Sequence, residues 1–354
     1  MFNHLTPYPN LTTKSLIPEN QETPIQHIRT WDLNEELFYK RNHFPYPILP
    51  NEAFFLPIQG EVIRTLNFSY QDLLHMPSKT LTVVLECSGN KRAKFNPKVY
   101  GEQWEDGAIS QGVWKGVPLR ELLTYSGVKE IAREVVFEGY DFGQRKDMPG
   151  QFAFTRSLPL DKALHPNTLI AYEYNGKPIP YKHGYPLRII VPQWYAMASV
   201  KWLRSITVIG QQFQGPFQSK DYVYYPNQED DIGQKPVTTM NVNSTIQFPL
   251  DRGILPEGNH SVLGVAWTGK GEITDVEIST DHGNHWVKAE LHKKIGQSYA
   301  WTFWSYAWSP KHKGEFIILS RAKDSYGRSQ PHEAQWNRKG YGYNAVPRVH
   351  VKIE

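Results

Sequence analysis

Two patterns of apolar and polar residues divide the chain. Between about residue 52 and residue 210, short continuous apolar runs alternate with short amphipathic runs. Continuous apolar runs are typical of buried strands, and amphipathic runs with helical spacing predict helices. This part of the chain is therefore predicted to form a mixed α+β domain around a mostly buried sheet.

A different pattern follows residue 236. Seven short strand-like runs, several with alternating apolar and polar residues, are separated by turn signals. They lie at 244–250, 260–269, 273–281, 286–292, 300–308, 315–324 and 348–354. Seven short strands in roughly 115 residues predict an immunoglobulin-like β-sandwich.

Local signals place individual elements. Buried strands are predicted at 81–86, 134–140 and 186–192, and amphipathic helices at 69–76 and 118–127. The second helix would end at Gly127, because glycine readily adopts the left-handed conformation that closes a helix. A short helix is predicted at 33–41, within an otherwise Pro-rich and irregular beginning. The patterns together predict an extended N-terminal segment at 1–50, the α+β domain at 51–236 and the sandwich at 237–354.

The composition of the chain limits the kinds of molecule that it is expected to bind. A chain of 354 residues is expected to form two domains. The net charge of +4, without a long Lys/Arg run, favours anionic small molecules over nucleic acid. Eleven Trp and twenty Tyr predict packed aromatic surfaces or an aromatic-lined pocket. No apolar stretch reaches about 18 residues, so no membrane span is expected. The N-terminus lacks a signal-peptide pattern, so a cytoplasmic location is expected.

The only cysteine, Cys87, excludes an intrachain disulfide. It follows a β-branched apolar run, and a lone cysteine at a strand end is usually a small buried apolar residue. Its neighbours favour a chemical role. Gly89 would let the backbone approach a ligand, and the cations Lys91 and Arg92 are expected to lower the thiol pKa and favour the thiolate.

Two chemical roles for this thiolate stay open on the residues alone. A nucleophile would need a base, for which His43 and His183 are candidates. A metal ligand would need further donors, and the lack of a second cysteine excludes the usual cysteine-based zinc and iron–sulfur sites. A soft metal bound by one cysteine requires that the other sulfur donors come from a cofactor.

The segment Glu-Cys-Ser-Gly-Asn-Lys-Arg at 86–92 resembles the Cys-Ala/Ser-Gly-Asn-Arg-Arg signature of the sulfite oxidase family. In that family one cysteine sulfur binds molybdenum, and the dithiolene of a pyranopterin supplies the other sulfurs. Further segments are similar to family segments in the same order, at 38–47, 107–123, 171–206 and 336–351. The resemblance covers roughly residues 35–354. It implies a molybdopterin domain followed by a dimerisation domain, and hence a homodimer.

The resemblance also implies a substrate site for a small anion. Its residues would be Arg41, Cys87, Arg92, Trp104 and Tyr222, with a third cation from Arg338 or Lys339. Guanidinium groups offer charge-assisted donors that stay protonated, which suits sulfite. Trp104 could instead be an ordinary core aromatic, and Tyr224 and Tyr225 compete with Tyr222 for the position of the active-site tyrosine.

A second set of residues is matched to the cofactor. These residues are Asn42, His43, Cys87, Asp141, His183, Arg188 and Lys201, with molybdenum itself on Cys87. Phosphate needs cations, which Arg188 and Lys201 would supply. The alternative for His183 is a structural histidine. His282 and His285, at i and i+3 in a sandwich turn, are interpreted as solvent-exposed groups rather than a metal site.

The sequence departs from the family pattern at two places. The family has Trp-Asn-Leu-Arg-Gly near its C-terminus, whereas this chain has Trp-Asn-Arg-Lys-Gly at 336–340. Lys339 therefore stands where the family has arginine, and Arg338 precedes it. A lysine would lose the bidentate geometry of a guanidinium. Lys91 replaces the first of the paired arginines, which is a milder change.

The resemblance implies oxidation of sulfite to sulfate by oxygen-atom transfer at molybdenum. No haem domain is expected, so electrons would pass to an external acceptor such as a cytochrome or oxygen. An alternative is a related molybdenum enzyme that reduces nitrate or an S-oxide, although the nitrate reductases do not keep a tyrosine at the Tyr222 position. A non-enzymatic binding protein would leave Cys87, Arg92 and His183 unexplained.

Overall fold

The structure is a computed structural model that describes residues 10–50 and 54–354. The beginnings of the predicted segment at 1–50 and of the predicted domain at 51–236 therefore lie outside the described residues. The described chain opens with a hairpin of β1 (Thr12–Leu16) and β2 (Glu19–Glu22), followed by a 3-10 turn at Ile25–His27.

The helix predicted at 33–41 is wrong. The segment forms a turn, in which the amide N of Leu37 donates to the carbonyl of Asn34, and it then runs extended. The backbone of Lys40 pairs with that of Gln21 in β2, through hydrogen bonds of 2.8 and 2.9 Å. A helix would break this extended pairing, and the pairing is what lays the segment against the domain core.

The α+β domain contains two five-stranded sheets. Its strands are β3 (Phe55–Gly60), β4 (Leu66–Ser69), β5 (Lys79–Glu86), β6 (Ile109–Pro118), β7 (Glu134–Gln144), β8 (Gln151–Pro159), β9 (Leu169–Tyr174), β10 (Lys177–Pro178), β11 (Arg188–Ile190) and β12 (Leu203–Ile209). One sheet has the order β10-β9-β6-β5, with β11 also paired to β9, and the other has the order β4-β3-β12-β7-β8. The second sheet is mixed because β12 runs parallel to β3 and antiparallel to β7.

Short helices connect these strands. They are α1 (Tyr70–His75), α2 (Leu119–Ser126) and α3 (Leu160–Ala163), with 3-10 turns at Arg92–Lys94, Tyr181–His183 and Ala196–Ala198 and a π-helix at Phe217–Asp221. Ser69 and Asp72 form a capping box that starts α1. The predicted end of the second helix is confirmed, because Gly127 follows α2 with φ +69°.

The sandwich prediction is also confirmed. After a small ribbon of β13 (Val223–Tyr224) and β14 (Lys235–Pro236), two sheets have the orders β15-β17-β21-β20 and β16-β23-β22-β18-β19. The strands are β15 (Asn243–Phe248), β16 (Gly253–Leu255), β17 (His260–Trp267), β18 (Ile273–Ser279), β19 (Val287–Lys288), β20 (Glu290–His292), β21 (Thr302–Trp308), β22 (Gly314–Asp324) and β23 (Arg348–Ile353). The run predicted at 286–292 is split, since β19 pairs with β18 in one sheet and β20 with β21 in the other.

The sandwich contacts the α+β domain around the end of β5. Lys91 Nζ donates to Asn243 Oδ1 at 2.7 Å and to the carbonyl of Ser244 at 2.9 Å. Glu86 Oε2 accepts a hydrogen bond of 2.9 Å from Trp267 Nε1. The segment that carries the single cysteine is therefore held by both domains. In the described parts of the chain, no helix has the length and apolar character needed to cross a bilayer.

Candidate active site

Most of the predicted site residues line one buried cavity at the end of β5. They are Arg41, His43, Cys87, Asp141, His183, Arg188, Lys201 and Tyr222. They come from the extended segment after β2, from β7 and β11, from the 3-10 turn at Tyr181–His183, and from the segments that follow β5, precede β12 and follow the π-helix. The fold thus brings together side chains that are far apart in the sequence.

A tight turn directs Cys87. Its amide N donates to the carbonyl of Ala108 at 2.9 Å, and its own carbonyl accepts from the amide N of Asn90 at 2.9 Å. Asn90 Oδ1 accepts from the amide N of Ala108 at 3.0 Å, which closes the turn. At Gly89 an added Cβ would lie 2.6 Å from Arg92 Nη2. The glycine is therefore needed so that the guanidinium can fold back beside Cys87.

The expected depression of the thiol pKa is wrong for the protein without a bound metal. Burial raises the pKa of Cys87, and the nearby guanidinium groups of Arg41 and Arg92 only partly oppose this. Lys91 does not contribute, because its ammonium group turns into the sandwich. A metal ion at the sulfur would reverse the direction, since a coordinating thiol loses its proton.

Arg92 and Trp104 lie next to the cavity rather than in its lining. Arg92 donates from Nη1 to the carbonyl of Glu102 and from Nε to the carbonyl of Lys339, both at 3.1 Å. Its guanidinium also lies over the ring of Tyr341, 5.1 Å from the ring centre. Trp104 is completely buried in the same apolar cluster as Cys87, and its Nε1 has no hydrogen-bond partner among the described residues.

The two candidates for the third cation differ in their surroundings. Arg338 donates to Asp231 Oδ1 at 2.5 Å and to the carbonyl of Asp230 at 2.8 Å, and it lies over the ring of Tyr225. The charge of Arg338 is thus paired with the exposed acidic loop that contains Asp230 and Asp231. Lys339 is half-buried, and its carbonyl accepts from Arg92. Neither side chain lines the cavity, so the assignment of a third cation stays a prediction.

Of the three candidate tyrosines, Tyr222 lines this cavity. Its Oη lies 2.7 Å from His43 Nε2, and His43 Nδ1 lies 3.3 Å from Arg41 Nη2. Burial and the charge of Arg41 hold the pKa of His43 well below its ordinary value, so the ring is neutral. Because arginine can only donate, Nδ1 must accept and Nε2 must carry the proton. His43 therefore donates to Tyr222 Oη and leaves the phenolic hydrogen free for the cavity.

The cationic end of the cavity is formed by Lys201 and Arg188. Lys201 Nζ donates to Asn42 Oδ1 and, at 3.2 Å, to the carbonyl of Arg41. Arg188 donates from Nη1 to the carbonyl of His183 at 3.1 Å. Burial and repulsion from Arg188 lower the pKa of Lys201 far below its ordinary value. Such crowding of positive groups is typical of a site that binds an anion.

Two buried oxygens in the lining have no hydrogen-bond partner among the described residues. They are Ser88 Oγ and Asp141 Oδ1. Burial raises the pKa of Asp141 to about 6, although Lys201 opposes this. Unpaired buried polar atoms are costly, and native proteins rarely keep them without a ligand or water. Both atoms therefore indicate that a polar ligand or ordered water occupies the cavity.

Sequence reasoning missed a buried ion cluster behind this cationic end. Glu19 of β2 accepts at Oε2 from Lys182 Nζ at 2.9 Å and from the hydroxyl of Tyr46 at 2.8 Å, and its Oε1 lies 4.0 Å from Lys40 Nζ. Lys40 lines the cavity. The carbonyl of Glu19 also accepts from Asn42 Nδ2 at 2.7 Å. The hairpin thus supports the segment that carries Arg41 and His43.

Among the described residues, no cluster of three His, Cys, Asp or Glu side chains could hold a metal ion. A metal at Cys87 would therefore need donors that a cofactor supplies.

Comparisons with known proteins agree on one family. Residues 43–217 match the oxidoreductase molybdopterin binding domain, and residues 234–354 match the Mo-co oxidoreductase dimerisation domain. The chain is 32% identical to mitochondrial sulfite oxidase of Rattus norvegicus, over 98% of this chain and 66% of the rat protein. It is 31% identical to sulfite oxidase of Arabidopsis thaliana, over 98% of this chain and 95% of the plant protein.

A solved structure shares the fold. The sulfane dehydrogenase SoxCD from Paracoccus pantotrophus superposes with a TM-score of 0.81 at 26% identity, over 98% of this chain and 87% of the other. The similarity therefore extends through both domains.

Proposed function

The chain belongs to the sulfite oxidase family of molybdopterin oxidoreductases, and from this premise we propose that it oxidises sulfite to sulfate and passes the electrons to an external acceptor. The observation that carries the proposal is one cavity lined both by the Cys87 thiol and by crowded cations. Soft sulfur suits molybdenum, and the cations suit a phosphate.

The residues of the cavity fit the cofactor. Cys87 would hold molybdenum, and Arg188 and Lys201 would neutralise the phosphate of the pyranopterin. The unpaired oxygens of Ser88 and Asp141 would accept hydrogen bonds from its ring nitrogens. Molybdenum bound in this way supplies oxygen-atom transfer and stores two electrons for release.

The protein's own groups position the substrate. Arg41 and Arg92 place positive charge near Cys87, which would attract and orient the sulfite anion. Burial keeps the pKa of the Tyr222 hydroxyl above its ordinary value, so the group stays a hydrogen-bond donor. His43 fixes the direction of that donor by donating to its oxygen. The cavity therefore offers fixed positive groups and one aimed hydroxyl to an oxyanion.

A paired assay tests this proposal. The purified protein is analysed for molybdenum and is then assayed with sulfite and ferricyanide, and separately with nitrate or an S-oxide and reduced viologen. We expect molybdenum and sulfite-dependent reduction of ferricyanide. Reduction of nitrate or of an S-oxide without sulfite oxidation would establish the alternative enzyme. Protein that cannot be loaded with molybdenum would point to a binding function instead.

Three related predictions accompany the proposal. The dimerisation domain at 234–354 supports a homodimer, which sedimentation at twice the chain mass would show. Absence of haem is a prediction that the visible spectrum of the purified protein tests. A cytoplasmic location is a further prediction, which fractionation of the source cells tests.

A further inference from the structure

A second cavity lies on the other side of Tyr341. It has a volume of about 510 Å³, within the range usual for small-molecule sites. Tyr224, Trp336 and Tyr341 give it aromatic walls, and β14 and the segment after β22 form its sides. The two linings share no residue, and of the predicted site residues only Tyr224, an alternative to Tyr222, lines the second cavity.

The wall between the two cavities is thin. The ring of Tyr341 stacks on that of Tyr222, with 5.5 Å between the ring centres and 25° between the planes. The amide N of Gly342, in the second cavity, donates at 2.8 Å to the carbonyl of Ser88, which follows Cys87 in the chain. One pair of stacked rings and one hydrogen bond therefore connect the linings of the two cavities.

This wall is held rigidly. Asn337 accepts from the amide N of Tyr341 at 3.0 Å and donates to its carbonyl at 2.8 Å. Asn241 donates to the carbonyl of Gly342 at 2.7 Å. Gly342 has φ +69°, and an added Cβ would lie 2.6 Å from Tyr224 Oη. The left-handed backbone and the close approach to Tyr224 therefore favour glycine at position 342.

The chemistry of the second cavity differs from that of the first. Its lining includes one cation, Lys235, and one carboxylate, Glu333, so it has no excess of positive charge. Aromatic faces bind planar rings, and the side chains of Thr238 and Lys235 can donate to carbonyl oxygens. These features select a neutral, planar molecule with carbonyl groups over an oxyanion.

We propose that the second cavity binds a quinone-type electron acceptor, which collects electrons from the cofactor through the wall of Tyr341 and Gly342. This inference rests on the proposed function. Under the proposed function the cofactor and sulfite would occupy the first cavity, so a ring-shaped oxidant would have to bind elsewhere. The overall reaction balances: sulfite, water and quinone give sulfate and hydroquinone. The oxygen of water joins sulfur, and its two protons and the two electrons from sulfur go to the quinone.

The test uses molybdenum-loaded full-length protein and a water-soluble dimethoxy-methyl-benzoquinone. Thr238→Trp fills the cavity from a side chain that does not touch the cofactor cavity. We expect at least a tenfold loss of kcat/KM for the quinone, with ferricyanide-coupled sulfite oxidation and the KM for sulfite within twofold of wild type. Equal quinone reduction by wild type and variant would overturn the inference.

Binding is measured separately by quenching of tryptophan fluorescence in the oxidised enzyme without sulfite. Trp336→Phe should weaken saturable quenching, whereas the matched control Trp31→Phe, whose ring packs edge-on against Phe303 and lines neither cavity, should not. Absence of quinone binding in an enzyme that still reduces ferricyanide with sulfite would refute this site and leave the proposed function intact. A molybdenum-loaded enzyme that binds quinone but oxidises no sulfite with either acceptor would refute the proposed function, and with it the acceptor role.

Discussion

The two ends of the cofactor cavity are built in different ways. The Cys87 end is one turn of consecutive residues, closed by backbone hydrogen bonds and the Asn90 side chain. The cationic end depends on Glu19, which meets Lys182 across 163 positions of sequence. The local end therefore carries the chemistry, whereas the long-range end couples the N-terminal hairpin to cofactor binding. Substitutions at the Cys87 end should therefore impair catalysis, whereas substitutions at the cationic end should impair stability and cofactor binding.

The largest effect is expected from Cys87→Ser. Removal of the sulfur donor should abolish sulfite oxidation, because a serine hydroxyl is a hard and weakly acidic ligand. The cationic end stays intact, so the variant should keep its fold and bound pterin. Turnover with ferricyanide, circular dichroism and pterin fluorescence after acid release are the measurements. Undiminished sulfite oxidation in this variant would contradict the role of Cys87.

Glu19→Gln should instead weaken the ion cluster that supports the cationic end. It leaves Lys40 and Lys182 without their shared carboxylate in a buried site, which should lower the free energy of unfolding by about 3 kcal/mol. Pterin content after gel filtration should fall, while the KM for sulfite of the molecules that keep cofactor stays close to wild type. Glu61→Gln is the matched control, since its partner Lys129 is exposed. Equal stability of the two variants would show that the buried cluster contributes little.

A smaller effect is expected from Arg92→Gln. Loss of a positive group beside Cys87 should raise the KM for sulfite at least tenfold, or about 1.4 kcal/mol. Arg204→Gln, an exposed arginine paired with Glu138, serves as the control and should leave the KM unchanged. Steady-state kinetics with ferricyanide measures both. An unchanged KM in the Arg92 variant would remove that residue from the substrate site.

A pH dependence of stability is expected at the cationic end. Burial lowers the pKa of Lys40 from 10.5 to about 8, and the attraction of Glu19 partly opposes this. Between these two pH values the unfolded chain binds more protons than the folded one, so the contribution of Lys40 makes stability rise with pH in this window. Denaturant titrations from pH 7 to 10.5 should show this slope in wild type and its loss in Lys40→Met. Identical slopes would contradict the assignment.

The same contrast explains what the sequence could predict. The turn at Cys87 could be predicted because its residues are consecutive and form a short motif. The sandwich could be predicted because its strands repeat a simple alternation of apolar and polar residues. The four polar residues of β2 are all buried, against the rule that polar segments face water. Some of their partners lie far along the chain, such as Lys182 for Glu19 and Glu102 for Asn20, so no local pattern reveals these contacts.

Three further differences have the same origin. The segment at 33–41 has helical spacing, but its pairing with Gln21 in β2 overrides that local preference. Tyr341 belongs to the recognised closing motif, yet its stacking on Tyr222 joins two domains and has no sequence signal. The charge of Lys91 was expected beside the thiol, whereas the fold uses it as an anchor.

Because of that anchor, the geometry around the thiol depends on the presence of the sandwich. Lys91 is fixed in the sandwich, and the next residue in the chain, Arg92, stands beside the thiol. Removal of the sandwich at the domain boundary would take away the hydrogen-bond acceptors of the Lys91 ammonium group. It would thereby destabilise the turn that contains Cys87. A truncated catalytic half should therefore be an impaired protein rather than a minimal enzyme.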